Sequence, residues 1–145
     1  MKILFVCTGN ACRSQIAEGY AKRFGDGFCE IQSAGLVAHG VNPRAVQTMK
    51  EIGIDISQQQ SKVLTKEMLE WADLVITLCG HADEHCPVLP PNKQKRHYPF
   101  EDPAKATGDE AQIMKTFAKV RDEIGKHIAT LMDELKPTKQ WTPKL

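Results

Sequence analysis

The chain opens on an apolar run, Ile3-Leu4-Phe5-Val6, which reads as a strand buried on both faces. Small and polar residues follow at Cys7-Thr8-Gly9-Asn10-Ala11-Cys12-Arg13-Ser14, and then Ile16, Ala17, Tyr20, Ala21 and Phe24 recur at helical spacing up to a stop at Gly25. The pattern predicts strand, small-residue loop and helix. Phe28 to Ser33 has strand character and is broken by Ala34-Gly35. Asn42-Pro43 supplies an N-cap and a first-turn proline for a second helix, with Val46, Met49 and Ile52 on its buried face and Gly53 at its end. Thr65 caps a third helix through Leu69 and Trp71, and the β-branched run Asp73-Leu74-Val75-Ile76-Thr77-Leu78 is a strand that delivers Cys79 to its C-terminal end. Beyond a polar stretch with Pro87, Pro90 and Pro91, a short strand is expected around His97 to Phe100, with Glu101-Asp102-Pro103 at its exit. The clearest stripe is the last one: Ile113, Phe117, Val120, Ile124, Ile128, Leu131 and Leu135 predict a helix that covers one sheet face and closes at Pro137.

Strands alternating with helices imply a single α/β domain, a four-stranded parallel sheet with helices on both faces and right-handed crossovers. Residues 1–136 are expected to form that domain and 137–145 a loose tail. In such folds ligands sit outside the carboxyl ends of the strands, and Cys7, Cys79 and Asp102 all fall there.

A length of 145 residues suffices for one core. Nineteen Lys and Arg against eighteen Asp and Glu leave a formal charge of +1, so no global field points to nucleic acid or an acidic membrane, and any anion binding must be local. The N-terminal apolar run is too short for a signal-peptide core and no run approaches membrane-spanning length, which leads to the expectation of a cytoplasmic protein, acting as a monomer. In that compartment five cysteines, an odd set, read as reactive or metal-binding thiols rather than a disulfide framework.

Cys7 stands where a strand gives way to a helix N-terminus, and there the thiolate is favoured. The amides of Thr8, Gly9, Asn10, Ala11, Cys12 and Arg13 can ring a tetrahedral oxyanion, and the Arg13 guanidinium can grip two of its oxygens. Among the five cysteines only Cys7 has an arginine six positions on. Phosphate, arsenate or sulfate suits such a loop. Ser14 is placed to donate a hydrogen bond to the thiolate or to act as helix N-cap. Expelling an oxygen leaving group needs a general acid; Asp102, between Pro99 and Pro103, is the candidate if burial or an anionic neighbour keeps it protonated, with Glu101 its competitor.

Cys79-Gly80-His81-Ala82-Asp83-Glu84-His85-Cys86 has two readings. Zinc bound by Cys79, His81, His85 and Cys86 is one, although the spacing lacks the usual paired hairpins and no metal site is favoured. The other is a redox relay in which Cys79 attacks an oxidised Cys7 and Cys86 takes over the disulfide. Seven residues of regular helix, at about 1.5 Å each, would hold the two Cα atoms about 10 Å apart, beyond the roughly 7 Å limit for a disulfide, so the segment must be irregular or refold on oxidation. Cys29 is expected to pack, and Cys12 to matter through its backbone more than its thiol.

With Cys7 to Ser14 at the N-terminus, Ser33-Ala34-Gly35, His39-Gly40, Thr77-Leu78-Cys79, Cys86-Pro87 and Asp102-Pro103-Ala104, the chain resembles the thioredoxin-coupled arsenate reductases over nearly its whole length. That family is similar in fold and oxyanion loop to the low-molecular-weight protein tyrosine phosphatases. The resemblance implies that Cys7 attacks arsenate held by the loop and Arg13, and that Asp102 protonates the leaving hydroxide. Cys79 then attacks Cys7, releasing arsenite, and Cys86 carries the disulfide to the surface for reduction by thioredoxin. No bound cofactor is implied. Members of the family can bind potassium near residues matching Asn10 and Glu18 and an acidic residue, whose place here is taken by Lys62; the expectation is that the Lys62 ammonium replaces the ion, pairing with Glu18 and steadying Asn10, so that Asn10, Glu18 and Lys62 support the loop. Two rivals remain open: a phosphatase using Cys7, Arg13 and Asp102, which leaves Cys79 and Cys86 without a task, and a zinc-binding or redox-sensing thiol protein.

Overall fold

The computed structural model describes residues 1–86, 89 and 91–137. Ile3, Leu4, Phe5 and Val6 are all fully shielded from solvent. Because successive strand side chains point to opposite faces, both faces of their strand, β1 (Lys2–Cys7), are covered. β1 pairs in parallel with β2 (Glu30–Gly35), from Lys2 opposite Glu30 to Cys7 opposite Gly35, and with β3 (Leu74–Thr77), from Ile3 opposite Leu74 to Val6 opposite Thr77. With β4 (Gln94–His97) outside β3, the sheet runs β2-β1-β3-β4, all parallel. The helices are α1 (Arg13–Phe24), α2 (Pro43–Lys50), α3 (Lys66–Trp71), α4 (Gly80–His85) and α5 (Glu110–Leu135). α1, α2 and α5 pack on one another; α3 rests on β1, and α4 on β1 and β3.

α5 follows its sequence stripe. Phe117, Val120, Ile124, Ile128 and Leu131 are buried, each contributing about 1.5–3 kcal/mol relative to exposure. Its start is fixed by a capping box in which Asp109 and Gln112 each accept the other's backbone N–H.

Three elements depart from the sequence expectation. β2 begins two residues late, because the N–H groups of Phe28 and Cys29 donate to the Gly25 carbonyl in a turn, and it runs through Ala34 and Gly35 instead of breaking there. The absence of a side chain at Gly35 is what admits the neighbouring loop: a Cβ there would stand 2.7 Å from the Asn10 nitrogen and 2.8 Å from the Thr8 oxygen. α2 ends at Lys50, and Ile52, expected on its buried face, is exposed in the turn through Gly53, whose φ of 80° suits glycine. The strand expected at His97 to Phe100 lies at Gln94 to His97. Tyr98 and Phe100 still donate to the Thr77 and Leu78 carbonyls, so the chain keeps beside β3 as far as the acidic loop. Of the expected tail, only Pro137 falls within the described residues; 138–145, Pro87 and Pro90 lie outside them.

Candidate active site

β1 ends on Cys7, which is buried, and α1 starts at Arg13 without a side-chain cap on its first turn. Ser14 therefore does not act as N-cap; that position belongs to Cys12. Between them the loop turns back at Asn10, whose φ of 48° lies in the left-handed region that asparagine tolerates. Asn10 is fully buried, and every polar atom of its side chain is used. Its Oδ1 accepts the Lys62 backbone N–H at 2.8 Å, and its Nδ2 donates to Ser14 Oγ at 2.7 Å and to Ser33 Oγ at 2.9 Å. The Asn10 side chain thus braces the loop from behind, the supporting role expected of this residue alongside the place of its amide in the oxyanion ring.

The donors in this network run one way. With Asn10 donating to it, Ser14 is left to give its own proton to Cys7 Sγ, 2.8 Å away, the polarity a thiolate accepts. Ser33 hands its proton to Glu18 Oε1 at 2.5 Å, and Glu18 Oε2 meets Lys22 Nζ at 2.6 Å. The cation expected from Lys62 comes instead from Lys22, one helical turn beyond Glu18 on α1, while Lys62 contributes its backbone N–H to Asn10. Glu18 is buried, and Lys22 snorkels to solvent.

Asp102 arrives from the far edge of the sheet. Its Oδ1 caps the turn at Pro103–Lys105 by accepting the Ala104 N–H at 3.0 Å, and its Oδ2 lies 3.7 Å from Arg13 Nη2. The neighbour expected to be an anion is this cation. Arg13 Nη1 also donates to the Phe100 carbonyl at 3.1 Å, which aims the guanidinium across the loop. Glu101, the competing acid, points elsewhere and pairs with Lys119. A cavity of about 280 Å³ opens here, lined by Cys7, Thr8, Gly9, Ala11, Cys12 and Arg13 together with His39, Asp102, Ala104 and Lys105. His39 entered the sequence reading only through the motif His39-Gly40, with no role at the cavity, and Lys105 did not enter it. The structure sets His39 over Gly9, where a Cβ would lie 2.6 Å from its Nδ1; the sequence signal for Lys105 is its place three residues past the acid.

The five thiols are free and differ sharply. Burial pushes the Cys12 thiol up to about 12, with Asp102 and Cys7 adding and Arg13 and Asn42 opposing, so Cys12 stays neutral. Cys29 lies away from the cavity, and burial raises its thiol too. Cys79 Sγ sits 3.3 Å from Thr8 Oγ1, against the loop that begins at Cys7, and accepts the Ala82 N–H at 3.4 Å as the N-cap of α4. Cys86 is the C-cap of the same helix. α4 is regular, so its two ends are held about 10 Å apart, too far for a disulfide unless the helix opens. Among the described residues no group of three or more His, Cys, Asp or Glu side chains is placed to hold a metal, and His85 Nδ1 is bonded to the His81 carbonyl.

Residues 2–141 match the family described as low molecular weight phosphotyrosine protein phosphatase. The chain belongs to this family. Within it, the arsenate reductase of Halalkalibacterium halodurans is 54% identical over 131 residues, which is 90% of this chain and 94% of that protein. Among solved structures, an arsenate reductase in the phosphate binding state superposes with a TM-score of 0.76 at 35% identity, covering 93% of this chain and 98% of that one. A thioredoxin-dependent arsenate reductase of Corynebacterium glutamicum gives a TM-score of 0.75 at 28% identity, with 93% of this chain matched to 61% of that one. Among the described residues no helix is long and apolar enough to cross a membrane.

Proposed function

We propose that the protein is a thioredoxin-dependent arsenate reductase, working in the cytoplasm as a monomer without a bound cofactor. The observation that carries this reading is the position of Cys79: Thr8 holds its sulfur at 3.3 Å, beside the oxyanion loop, where hydrolysis would have no use for a second thiol. Arsenate enters the cavity and takes hydrogen bonds from the loop amides and the Arg13 guanidinium. Its charge supplies the anionic neighbour that Asp102 lacks in the open site, which favours a proton on that carboxyl. Cys7 Sγ attacks arsenic, and hydroxide departs as water with the Asp102 proton. Cys79 then attacks Cys7 Sγ; the sulfur–sulfur bond forms as the sulfur–arsenic bond breaks, and the electron pair stays on arsenic, reducing As(V) to As(III). Cys86 next attacks Cys79, releasing Cys7, and thioredoxin reduces the Cys79 to Cys86 disulfide.

Arsenate turnover with thioredoxin, thioredoxin reductase and NADPH tests the reading. Wild type is expected to turn over repeatedly, Cys86→Ser to stop after the first cycle with Cys7 joined to Cys79, and Cys79→Ser to release no arsenite. Multiple turnover without either cysteine overturns the relay. A second activity is supported by the completeness of Cys7, Arg13 and Asp102 as a phosphatase set: slow phosphate-ester hydrolysis that survives loss of Cys79 or Cys86.

A further inference from the structure

The arsenate reductase reading moves a disulfide from Cys79 to Cys86, and α4 stands between them as a helix. Of its six residues only Ala82 is buried, and a helix this short does not persist alone. What ties it to the sheet is polar. Asp83 accepts the Thr77 hydroxyl at 3.1 Å from the end of β3 and pairs with Lys95 Nζ at 2.7 Å on β4, while Lys95 also reaches the Asp83 carbonyl at 3.4 Å. Thr77 is fully buried and has one proton to give. With that proton on Asp83, Thr77 Oγ1 accepts from His97 Nδ1 at 2.9 Å, and the same ring nitrogen stands 3.9 Å from Asp83 Oδ1. None of these groups lines the oxyanion cavity.

We propose that Asp83 is a positioning residue for the relay, a latch gripped by Thr77 and Lys95 that holds α4 helical until the disulfide reaches Cys79, and whose release lets Cys86 reach Cys79. The inference rests on the arsenate reductase reading. In the step it controls, Cys86 gives its proton to solvent, its thiolate attacks Cys79 Sγ, and the bond to Cys7 breaks with Cys7 leaving as thiolate. One disulfide replaces another, so no further oxidant is needed. Once Cys79 is joined to Cys7, its sulfur is no longer a free cap for the Ala82 N–H, and the Asp83 contacts are the principal tie left. The latch also bears on the incoming nucleophile. Burial raises the Cys86 thiol, with Lys95 working against burial and Asp83 with it. Opening the Asp83–Lys95 pair leaves Lys95 facing Cys86 without its counter-ion, so one event frees the helix and readies the thiol.

The test uses the full chain carrying Cys7→Ser, equilibrated with mixtures of reduced and oxidised glutathione, with the Cys79 to Cys86 disulfide read by differential alkylation and peptide mass. Losing a half-exposed ion pair and weakening one hydrogen bond predicts that Asp83→Asn raises the equilibrium constant for this disulfide about three- to tenfold. A tenfold change is about 30 mV for the two-electron couple. Lys95→Gln is expected to shift it the same way, and the double variant to add nothing beyond the larger single change. In a Cys86→Ser background with Cys7 intact, the single-turnover rate of Cys7 to Cys79 disulfide formation with arsenate stays within about twofold on Asp83→Asn, since that step leaves α4 in place. Equal equilibrium constants in variant and parent overturn the latch alone. Should Asp83→Asn fail to fold by circular dichroism, Lys95→Gln, which alters the sheet side of the contact, decides by the same criterion. If no Cys79 to Cys86 disulfide forms in any of the proteins, the relay falls and the latch with it.

Discussion

Replacing Asn10 by alanine removes three hydrogen bonds from a fully buried side chain, those to Ser14, Ser33 and the Lys62 N–H. At a net value near 1 kcal/mol each, the bonds account for about 3 kcal/mol. Alanine at a φ of 48° adds a backbone penalty, about 1 kcal/mol where asparagine has almost none. The expected loss for Asn10→Ala is therefore about 4 kcal/mol, a large part of the total stability of an ordinary domain. Asn10→Gly separates the two contributions: glycine takes the left-handed conformation freely, so it should lose only the bonds, about 3 kcal/mol. Urea unfolding followed by circular dichroism, with the slope checked for constancy, measures both. If both variants unfold within 1 kcal/mol of wild type, or if glycine is the less stable of the two, then this account of what braces the loop is wrong.

Asp102→Asn keeps the cap on the Ala104 N–H but removes the proton donor; single-turnover formation of the Cys7 to Cys79 disulfide should slow by about a hundredfold or more, while phosphate binding, read as competitive inhibition, is retained or tightened because a negative charge beside Arg13 has gone. Cys12, its thiol pushed up to about 12 by burial, should resist iodoacetamide at pH 8 while Cys7 reacts. Because the folded state holds the Cys12 proton more tightly than the unfolded one, this contribution to stability is complete below pH 9 and is lost as pH climbs from there toward 12; comparing urea melts at pH 8.5 and 10.5, Cys12→Ala should show the smaller alkaline decline. Lys22→Met keeps the aliphatic stem but leaves Glu18 buried without its cation; turnover should become dependent on potassium at fixed ionic strength, whereas that of wild type should not, and equal potassium responses in the two proteins would sink the assignment of Lys22.

The parts of the fold legible in the sequence are those whose burial imposes a period. β1 is a continuous apolar run because both its faces are covered, and α5 repeats at three and four because one face is. β4 escapes that logic: as an edge strand of Gln94, Lys95, Arg96 and His97 it is largely exposed, and the apolar signal comes from Tyr98 and Phe100 just beyond it, whose rings meet His127 on α5. α4 buries one residue and so carries no stripe at all. The convergence of Cys7, Arg13 and Asp102 on one cavity, with Cys79 against its loop, was legible from topology alone, since each lies at or just beyond the C-terminal end of a parallel strand. The cation beside Glu18 was misplaced for a different reason. Lys62 was reached through the family resemblance, whereas the Glu18–Lys22 pair, four residues apart on one helix, is a local pattern open to direct reading.

The meeting of β2 with the oxyanion loop has a consequence for how this sequence can vary. Gly35 lies against the backbone of both Thr8 and Asn10, and a Cβ there would also press on the Val37 carbonyl. Every one of the nineteen other amino acids brings that carbon, so position 35 is closed to exchange unless the loop itself moves, and moving the loop moves Cys7's neighbours. Ser33, two residues earlier on the same strand, holds Asn10 and Glu18 together. Two stretches of chain more than twenty positions apart are thereby locked into joint drift: a lineage that alters the strand must alter the loop in the same step, and the reactive thiol inherits its setting from a strand with no residue in the lining of the cavity.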